Sequence, residues 1–238
     1  MDRRQFLKTS GALSFAIAMG SDGLRLMSEA EAATAQQVNT WVRIAPDGTV
    51  TILSAGAEMG QGSMTSLPLI VAEEMDADWS KVKIEFAPAD ASVYGYTFQN
   101  AKAMAIVGSR AVMLYYNDLR NAGAQVRKVL VANAAEKWGV SPASLKTENG
   151  FVVDGGGRKI SYGEIATFAK VPSPLPAVDK SELKDKSQFR FIGKEMPRRD
   201  TPLKVNGSAQ YFDSAGWAAI SISLRMPAIW RSMSEPAA

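Results

Sequence analysis

The stretch GAEMGQGSMTS, residues 56–66, places three glycines between a strand-like run and a helix-like run. A plain turn needs one or two glycines, so the crowding at Gly60, Gln61 and Gly62 indicates that something approaches the backbone closely. Strand, glycine loop and helix form a common phosphate-binding arrangement, because free N–H groups at a helix N-terminus attract anions. The spacing matches neither the P-loop nor the Gly-x-Gly-x-x-Gly pattern, so an anion site and a plain turn stay equally open.

A second stretch with the same character is VGSRA, residues 107–111, at the start of a long helical pattern. Gly108 and Ser109 offer N–H groups at a helix N-terminus, and Arg110 adds a positive charge. Taken alone, this stretch is better explained by an ordinary serine N-cap. Two such helix starts in one domain favour a large ligand that carries phosphate groups.

Composition excludes several kinds of site. The 238 residues include no cysteine and no histidine, so the chain itself can form neither a Cys/His zinc site nor a cysteine-bound iron–sulfur cluster. Net charge is +3, with no long basic run or aromatic platform, which argues against a nucleic-acid partner. The carboxylates of Glu73 and Glu74 occupy adjacent helix positions and diverge, so we expect them on a solvated face.

The glycine loop is expected to lie between a hairpin and a helix. Two alternating runs flank the Pro-Asp-Gly sequence at residues 46–48, which is typical of a tight turn. The helix that follows contains Pro68, which is best tolerated in a first turn, so Thr65 or Ser66 is expected to cap it. The alternating run KVKIEF then predicts a strand.

Residues 91–108 carry few regular signals and are expected to form a loop, after which a helix runs from Ser109 to Gly139. Further on, residues 144–162 read as a hairpin, and Ser161 with Glu164 forms a capping-box pattern before a short helix. The overall prediction is an α+β domain. One stripe of the long helix is expected to face the core: Val112, Tyr116, Leu119, Gly123, Val126, Leu130, Ala134 and Trp138.

The first 35 residues have the layout of an export signal. Arg3 and Arg4 precede x-Phe-Leu-Lys, a short apolar run follows at residues 11–20, and Ala-x-Ala patterns lie within residues 30–35. The pattern resembles the twin-arginine signal, which implies export of a folded protein to the periplasm. The apolar run is too short for a transmembrane span.

The residues from 58 to 90, EMGQGSMTSLPLIVAEEMDADWSKVKIEFAPAD, resemble the molybdopterin-binding large subunit of the xanthine oxidase family. The likeness is greatest to the beta subunits of isoquinoline 1-oxidoreductase and to membrane-associated aldehyde dehydrogenases. It continues through GSRAV, LRNAGAQVRKVLVANAAEKWGV, YGEIA and FIGKEMPRRDTPLKVNGSAQYF, and it covers about residues 38–213.

This resemblance implies a cofactor, a reaction and partners. The cofactor is molybdopterin cytosine dinucleotide, and the reaction is the hydroxylation of an aldehyde or N-heterocycle with oxygen from water. Electrons are expected to leave through a separate small [2Fe–2S] subunit to a membrane or periplasmic cytochrome, which would also associate the protein with the inner membrane. The cofactor-binding residues implied by the matching motifs are Gly60, Gln61, Gly62, Thr65, Gly108 and Ser109.

The resemblance also predicts the domain organisation. Residues 36–170 are expected to form a molybdopterin-binding-type α+β domain, and the proline-rich residues 171–190 a linker. A second, hammerhead-like domain is expected to begin with a strand in residues 191–213, before a divergent tail at 214–238.

The family's catalytic glutamate lies far beyond the matched region, so no catalytic residue and no metal ligand is assigned to this chain. A frameshift or early end near residues 212–216 would explain the divergent tail. Three hypotheses stay open: an incomplete large subunit that is inactive alone, a split subunit completed by a second chain, and a secreted module without enzymatic function.

Overall fold

The computed structural model describes residues 13–20, 23–27, 40–98 and 100–206, and the side chains of 41–98, 100–202 and 204–206. The twin-arginine pair, the small-residue region at 30–35 and the tail at 214–238 lie outside these residues. The fold is α+β, with a five-stranded sheet, a three-stranded sheet, a two-stranded hairpin and five α-helices in the described chain.

The five-stranded sheet has the order β2-β1-β3-β4-β5. Its first two strands, β1 (Leu13–Gly20) and β2 (Gly23–Met27), pair with each other and lie along the edge of β3 (Thr40–Ile44). Both fall within the predicted export signal. Whether residues 1–35 are removed stays a prediction, and their removal would expose the outer edge of β3.

The predicted hairpin at residues 46–48 is confirmed. Strands β3 and β4 (Val50–Ser54) pair antiparallel, with Val42 opposite Ile52. Strand β5 (Val82–Phe86) lies parallel to β4 on its other side. The connection between these parallel strands contains the glycine loop and helix α1 (Ser63–Glu74). The loop therefore lies at the carboxyl end of β4, as in many nucleotide-binding folds.

Helix α1 begins earlier than the sequence predicts. Its N-cap is Gly62, neither Thr65 nor Ser66, and Pro68 lies inside the helix at its sixth position. A proline there leaves the carbonyl of Met64 without its helical hydrogen bond. Ten of the twelve residues of α1 are buried, and this packing stabilises the helix despite the loss.

The expected loop at residues 91–108 contains regular structure, so that prediction is wrong. A one-turn helix α2 (Ala91–Tyr94) is followed by the antiparallel strands β6 (Tyr96–Phe98) and β7 (Ala101–Ala103). Burial of aromatic rings explains why this segment has regular structure. Tyr94 packs edge-on against Trp41 at 5.1 Å between ring centroids, and Tyr96 packs against Tyr115 at the same separation.

The long helix α3 (Arg110–Trp138) is confirmed, and Gly139 ends it in the left-handed conformation with φ 64°. Its buried face differs from the expected stripe in the first two turns, where Ala111 and Tyr115 are buried while Val112 is exposed. The aromatic cluster of Trp41, Tyr94 and Tyr96 draws Tyr115 inward. Burial raises the pKa of the Tyr115 hydroxyl, which donates to the carbonyl of Tyr94 at 2.8 Å.

Helices α1 and α3 pack directly on each other at Gly123. A Cβ on this glycine would lie 2.5 Å from the carbonyl oxygen of Val71 and 2.8 Å from the Cβ of Glu74. Such distances are shorter than any stable contact, so only glycine allows the two helices to approach this closely. The sequence placed Gly123 on the buried stripe without indicating this close approach.

The three-stranded sheet, in the order β10-β9-β8, follows α3. Its strands β8 (Leu145–Glu148), β9 (Phe151–Asp154) and β10 (Lys159–Ser161) confirm the expected hairpin and add a third strand. The capping box of Ser161 and Glu164 is confirmed at the start of helix α4 (Tyr162–Ala166).

The proline-rich segment lies within the first of two compact units, which ends at Pro197. Two short 3-10 helices, Lys180–Glu182 and Lys186–Gln188, lie in it, and we call residues 180–192 the strap. No strand is present in residues 191–206, where one was expected. The domain boundaries themselves stay predictions.

The described part of the second unit is residues 198–206, with helix α5 (Thr201–Val205). Asp200 accepts hydrogen bonds from Arg198 at 2.6 Å and from Lys204. The Arg198 guanidinium holds the pKa of the Asp200 carboxyl well below its usual range.

Candidate anion-binding site

The glycine loop, defined here as residues 56–62, leaves the sheet at the end of β4 and enters α1. Gly60 and Gly62 both have positive φ, at 109° and 89°, which side chains rarely adopt. A Cβ on Gly60 would meet nothing within 4 Å, whereas one on Gly56 would collide with Leu67 at 2.8 Å. Gly56 therefore serves packing, and Gly60 serves backbone conformation in an exposed part of the loop.

Three backbone N–H groups of this region converge on one carboxylate, that of Glu58. Its Oε1 accepts from the N–H groups of Gly60 at 2.7 Å and Gly62 at 2.9 Å, and its Oε2 accepts from Met64 at 2.9 Å. Glu58 thus serves as the cap of α1, a function that the sequence assigned to Thr65 or Ser66. Its position four residues before the N-cap is outside the usual capping pattern, which explains why sequence reasoning missed it.

The side chain of Gln61 closes the loop from the other side. Its Oε1 accepts from the N–H of Met59 at 2.7 Å, and its Nε2 donates to the carbonyl of Ala57 at 2.6 Å and to Oγ of Ser63 at 2.7 Å. Gln61 is nevertheless exposed. Its amide is therefore accessible to a ligand once these internal hydrogen bonds open.

Thr65 lies in the first turn of α1 and is buried, with its N–H donating to the carbonyl of Gly62 at 3.1 Å. This hydrogen bond joins the first turn of α1 to the last residue of the glycine loop. The structure thus places Gly60, Gln61, Gly62 and Thr65 in one continuous loop and helix start.

The second predicted stretch lies at the start of α3. Gly108 and Ser109 are exposed and both left-handed, with φ 66° and 58°, and the Ser109 side chain does not cap the helix. Ser109 is therefore the N-cap residue, as the sequence suggested, but it lacks the side-chain hydrogen bond of an ordinary serine cap. The Arg110 guanidinium stacks 4.2 Å from the Phe98 ring centroid, and its Nε is 3.7 Å from where a Gly108 Cβ would lie. The positively charged Arg110 side chain thus lies beside the N-terminus of α3.

The chemistry that these two helix starts offer is anion binding. Each presents backbone N–H groups beside left-handed residues, and the convergence of Gly60, Gly62 and Met64 on a carboxylate shows that the first accepts anionic oxygens. A phosphate oxygen has the same hydrogen-bonding requirements as that carboxylate oxygen. The residues present therefore fit a phosphate-bearing cofactor.

The carboxylate pair at the other end of α1 is buried, so the expected solvated face is wrong. Glu73 and Glu74 have no exposed surface. Glu73 accepts from the consecutive backbone N–H groups of Arg190, Phe191 and Ile192 at 3.0, 2.6 and 3.0 Å. These groups lie over 110 positions away in the chain, so no local pattern could have indicated them.

Glu74 and Asp76 also bind the strap, next to Glu73. Glu74 accepts from Arg120 Nε at 2.6 Å and from the backbone N–H of Lys184 at 3.2 Å. The buried Lys184 ammonium lies between Asp76 and Glu73, with an Nζ to Oε1 distance of 3.3 Å to Glu73. The interaction is structural, because every carboxylate is matched by donors from the strap or α3.

The described residues lack two further features. In residues 40–98 and 100–206, no helix is both long and apolar enough to cross a membrane. The same part of the chain holds no group of three or more acidic side chains arranged for a metal ion.

Comparison with protein families agrees with this geometry. The family model described as the molybdopterin cofactor-binding domain matches residues 3–220, which contain both helix starts. The chain belongs to this molybdopterin-binding family. The resemblance seen in the sequence is thereby confirmed.

Known members of the molybdopterin-binding family extend well beyond this chain. Isoquinoline 1-oxidoreductase subunit beta of Brevundimonas diminuta is 35% identical over 245 residues, covering 89% of this chain and 31% of that protein. The membrane-bound aldehyde dehydrogenase [pyrroloquinoline-quinone] of Gluconacetobacter polyoxogenes is 36% identical over 177 residues, covering 72% and 21%. The chain thus spans less than a third of either relative.

Among solved structures, quinoline 2-oxidoreductase from Pseudomonas putida 86 superposes with a TM-score of 0.40 at 20% identity. The match covers 69% of this chain and 21% of that one. The family assignment does not depend on this partial superposition.

Proposed function

We propose that this chain forms the amino-terminal, cofactor-binding part of a molybdenum hydroxylase large subunit. The substrate class is an aldehyde or an N-heterocycle, as the names of the isoquinoline and aldehyde relatives suggest. The observation that carries the proposal is the set of convergent N–H groups of Gly60, Gly62 and Met64, within a chain of the molybdopterin-binding family.

The residues of the two helix starts have separate functions in this proposal. The N–H groups of Gly60 and Gly62 bind an anionic oxygen of molybdopterin cytosine dinucleotide, and the Gln61 amide orients the pterin part. Gly108 and Ser109 donate to a phosphate or to the pterin, with Arg110 neutralising charge. Thr65 supports the loop. When bound, the molybdenum cofactor supplies the redox centre for hydroxylation of the substrate with oxygen from water.

The cofactor requires more protein than these loops provide. Several large apolar side chains next to both loops are exposed, including Met59 at 68% and Met113 at 64%. Exposed apolar surface around a binding loop is expected where further protein covers it. We therefore propose that a partner chain or further segments complete the site, and that electrons pass to a small [2Fe–2S] subunit and a cytochrome.

The proposed location of the protein depends on the predicted export signal. We propose that residues 1–35 direct twin-arginine export after cofactor insertion, and that the mature protein works in the periplasm, held at the inner membrane through a partner. The name of the aldehyde dehydrogenase relative, which is membrane-bound, supports a membrane association.

The proposed function is tested by co-expressing the chain with its genomic neighbours in a host that makes the molybdenum cofactor. The purified protein is assayed for molybdenum and for cytosine nucleotide released by acid. We expect both in stoichiometric amounts, bound to a complex that contains the chain. A folded, monomeric chain without cofactor would instead support the secreted-module hypothesis and contradict the proposal.

A pair of glycine variants shows whether the loop does the binding. Gly60 and Gly157 both have positive φ, and a Cβ on either meets nothing within 4 Å. Gly60→Ala should therefore strain its backbone about as much as Gly157→Ala does, by roughly 1 kcal/mol. We expect cofactor content to fall severalfold in Gly60→Ala alone. An equal fall in both variants would show that backbone strain, and not the loop, explains the loss.

A further inference from the structure

The glycine loop carries its own anion. Both oxygens of the Glu58 carboxylate accept hydrogen bonds, from the N–H groups of Gly60, Gly62 and Met64, with N to O distances of 2.7–2.9 Å. Each N–H has a single hydrogen, so a phosphate oxygen cannot bind these donors while Glu58 holds them. A phosphate beside the carboxylate would also experience like-charge repulsion.

The closed arrangement is well defined on both sides of the loop. The Gln61 side chain forms hydrogen bonds with the N–H of Met59, the carbonyl of Ala57 and the hydroxyl of Ser63. Glu58 accepts the three N–H groups described above. Gly60 and Gly62, with positive φ, separate the two sets of bonds and give the backbone its freedom to rearrange. The loop therefore has a stable form without ligand, and opening it requires the removal of one carboxylate.

We propose that Glu58 is a displaceable internal anion, which closes the glycine loop until an anionic ligand replaces it. The proposal rests on the proposed function only in taking this loop as the site of the cofactor's phosphate. Closed chains would bind phosphate weakly, because apparent affinity falls with the fraction of molecules in the competent form. The same contact stabilises α1 while the site is free, since the carboxylate lies at the helix N-terminus.

The test measures binding of inorganic pyrophosphate to the full chain by calorimetry. Glu58→Gln keeps the size of the side chain but removes its charge and turns an NH2 group towards one of the N–H donors. We expect it to bind pyrophosphate about tenfold more tightly than the wild type, a factor that one charge-assisted hydrogen bond can supply. Its thermal midpoint without ligand should be lower, and saturating pyrophosphate should restore it.

A matched control removes the same charge elsewhere. Glu148 is exposed on β8, so Glu148→Gln should leave both pyrophosphate affinity and the thermal midpoint unchanged. Amide resonances give a direct readout in the wild type, which does not depend on the folding of any variant. Pyrophosphate should shift the N–H signals of Gly60, Gly62 and Met64 before those of other loops.

Affinity in Glu58→Gln equal to or weaker than that of the wild type would overturn the proposal and leave Glu58 as a helix cap. Failure of both the wild type and Glu58→Gln to bind pyrophosphate would overturn it as well. Failure of the proposed function is distinguishable, because it is read from molybdenum in the co-expressed complex. If Glu58→Gln binds pyrophosphate tightly but the co-expressed complex contains no molybdenum, the proposal for Glu58 stands and the proposed cofactor is wrong.

Discussion

The environments of Asp47 and Asp118 shift their carboxyl pKa values in opposite directions. Asp47 accepts the backbone N–H of Thr49 at 2.8 Å, and this bond lowers the pKa of its carboxyl. Asp118, on α3, experiences the opposite effect: partial burial raises its pKa, and the nearby Lys102 ammonium only partly offsets the shift. The ionised form of Asp118 is therefore disfavoured by folding, whereas that of Asp47 is favoured.

Asp118→Asn should increase stability at neutral pH, by up to about 0.5 kcal/mol. A raised pKa means that the folded state binds the proton more tightly, so the wild type is penalised above that pKa and relieved below it. The advantage should disappear as pH falls towards the ordinary aspartate value of 3.8. Urea unfolding at neutral pH and at about pH 4 measures it.

Asp47→Asn is the comparison of opposite sign, since it removes a carboxylate that accepts a backbone N–H. It should not stabilise the protein at neutral pH. Equal gains from both substitutions would show that net charge, and not the burial of Asp118, controls the effect.

At the scale of elements, the packing of α1 on α3 depends on one glycine. A Cβ at position 123 would lie 2.5 Å from the Val71 carbonyl oxygen, within the backbone of the facing helix. Alanine would improve helix propensity by about 1 kcal/mol, but the helices would have to separate. Packing in a filled core outweighs propensity here.

Gly123→Ala should consequently lower the free energy of unfolding by about 1–3 kcal/mol, the usual cost of overpacking. Chemical denaturation monitored by circular dichroism measures the change. Gly155→Ala is the control, because a Cβ there meets nothing within 4 Å, and its stability should equal that of the wild type. Wild-type stability in Gly123→Ala would mean that the two helices can move apart without loss.

At the scale of the whole molecule, the first compact unit depends on contacts between distant parts of the chain. Glu73 accepts three backbone N–H groups of the strap, and Lys184 of the strap is buried between Glu73 and Asp76. Buried charges are stable only with such partners, so loss of one carboxylate leaves uncompensated donors in the interior. These contacts hold the strap against the rest of the first unit.

Glu73→Ala should destabilise the protein by about 3–5 kcal/mol and release the strap. Limited trypsin digestion with mass spectrometry should then show early cleavage within residues 180–192, after its lysines and its arginine. The control is Glu136→Ala, which removes an exposed ion pair with Lys170 at 3.1 Å and should cost about 0.5 kcal/mol or less. Protection of the strap in Glu73→Ala would show that its apolar contacts hold it unaided.

The sequence by itself was sufficient where structure depends on near neighbours. The turn at residues 46–48, the end of α3 at Gly139 and the capping box of Ser161 and Glu164 were all predicted correctly. Each depends on backbone conformation and hydrogen bonds within a few residues, so residue type and spacing are enough. The family was also recognisable, because its motifs are contiguous segments.

Only the tertiary structure decided the environment of the charged groups. Glu58, Glu73 and Glu74 are ordinary carboxylates in the sequence, yet one closes the glycine loop and two hold the strap from within the core. The donors to Glu73 lie over 110 positions further along the chain, and the bonds to Glu58 depend on the left-handed backbone of Gly60 and Gly62. Burial and hydrogen bonding depend on which groups folding brings together, and local residue patterns do not encode that.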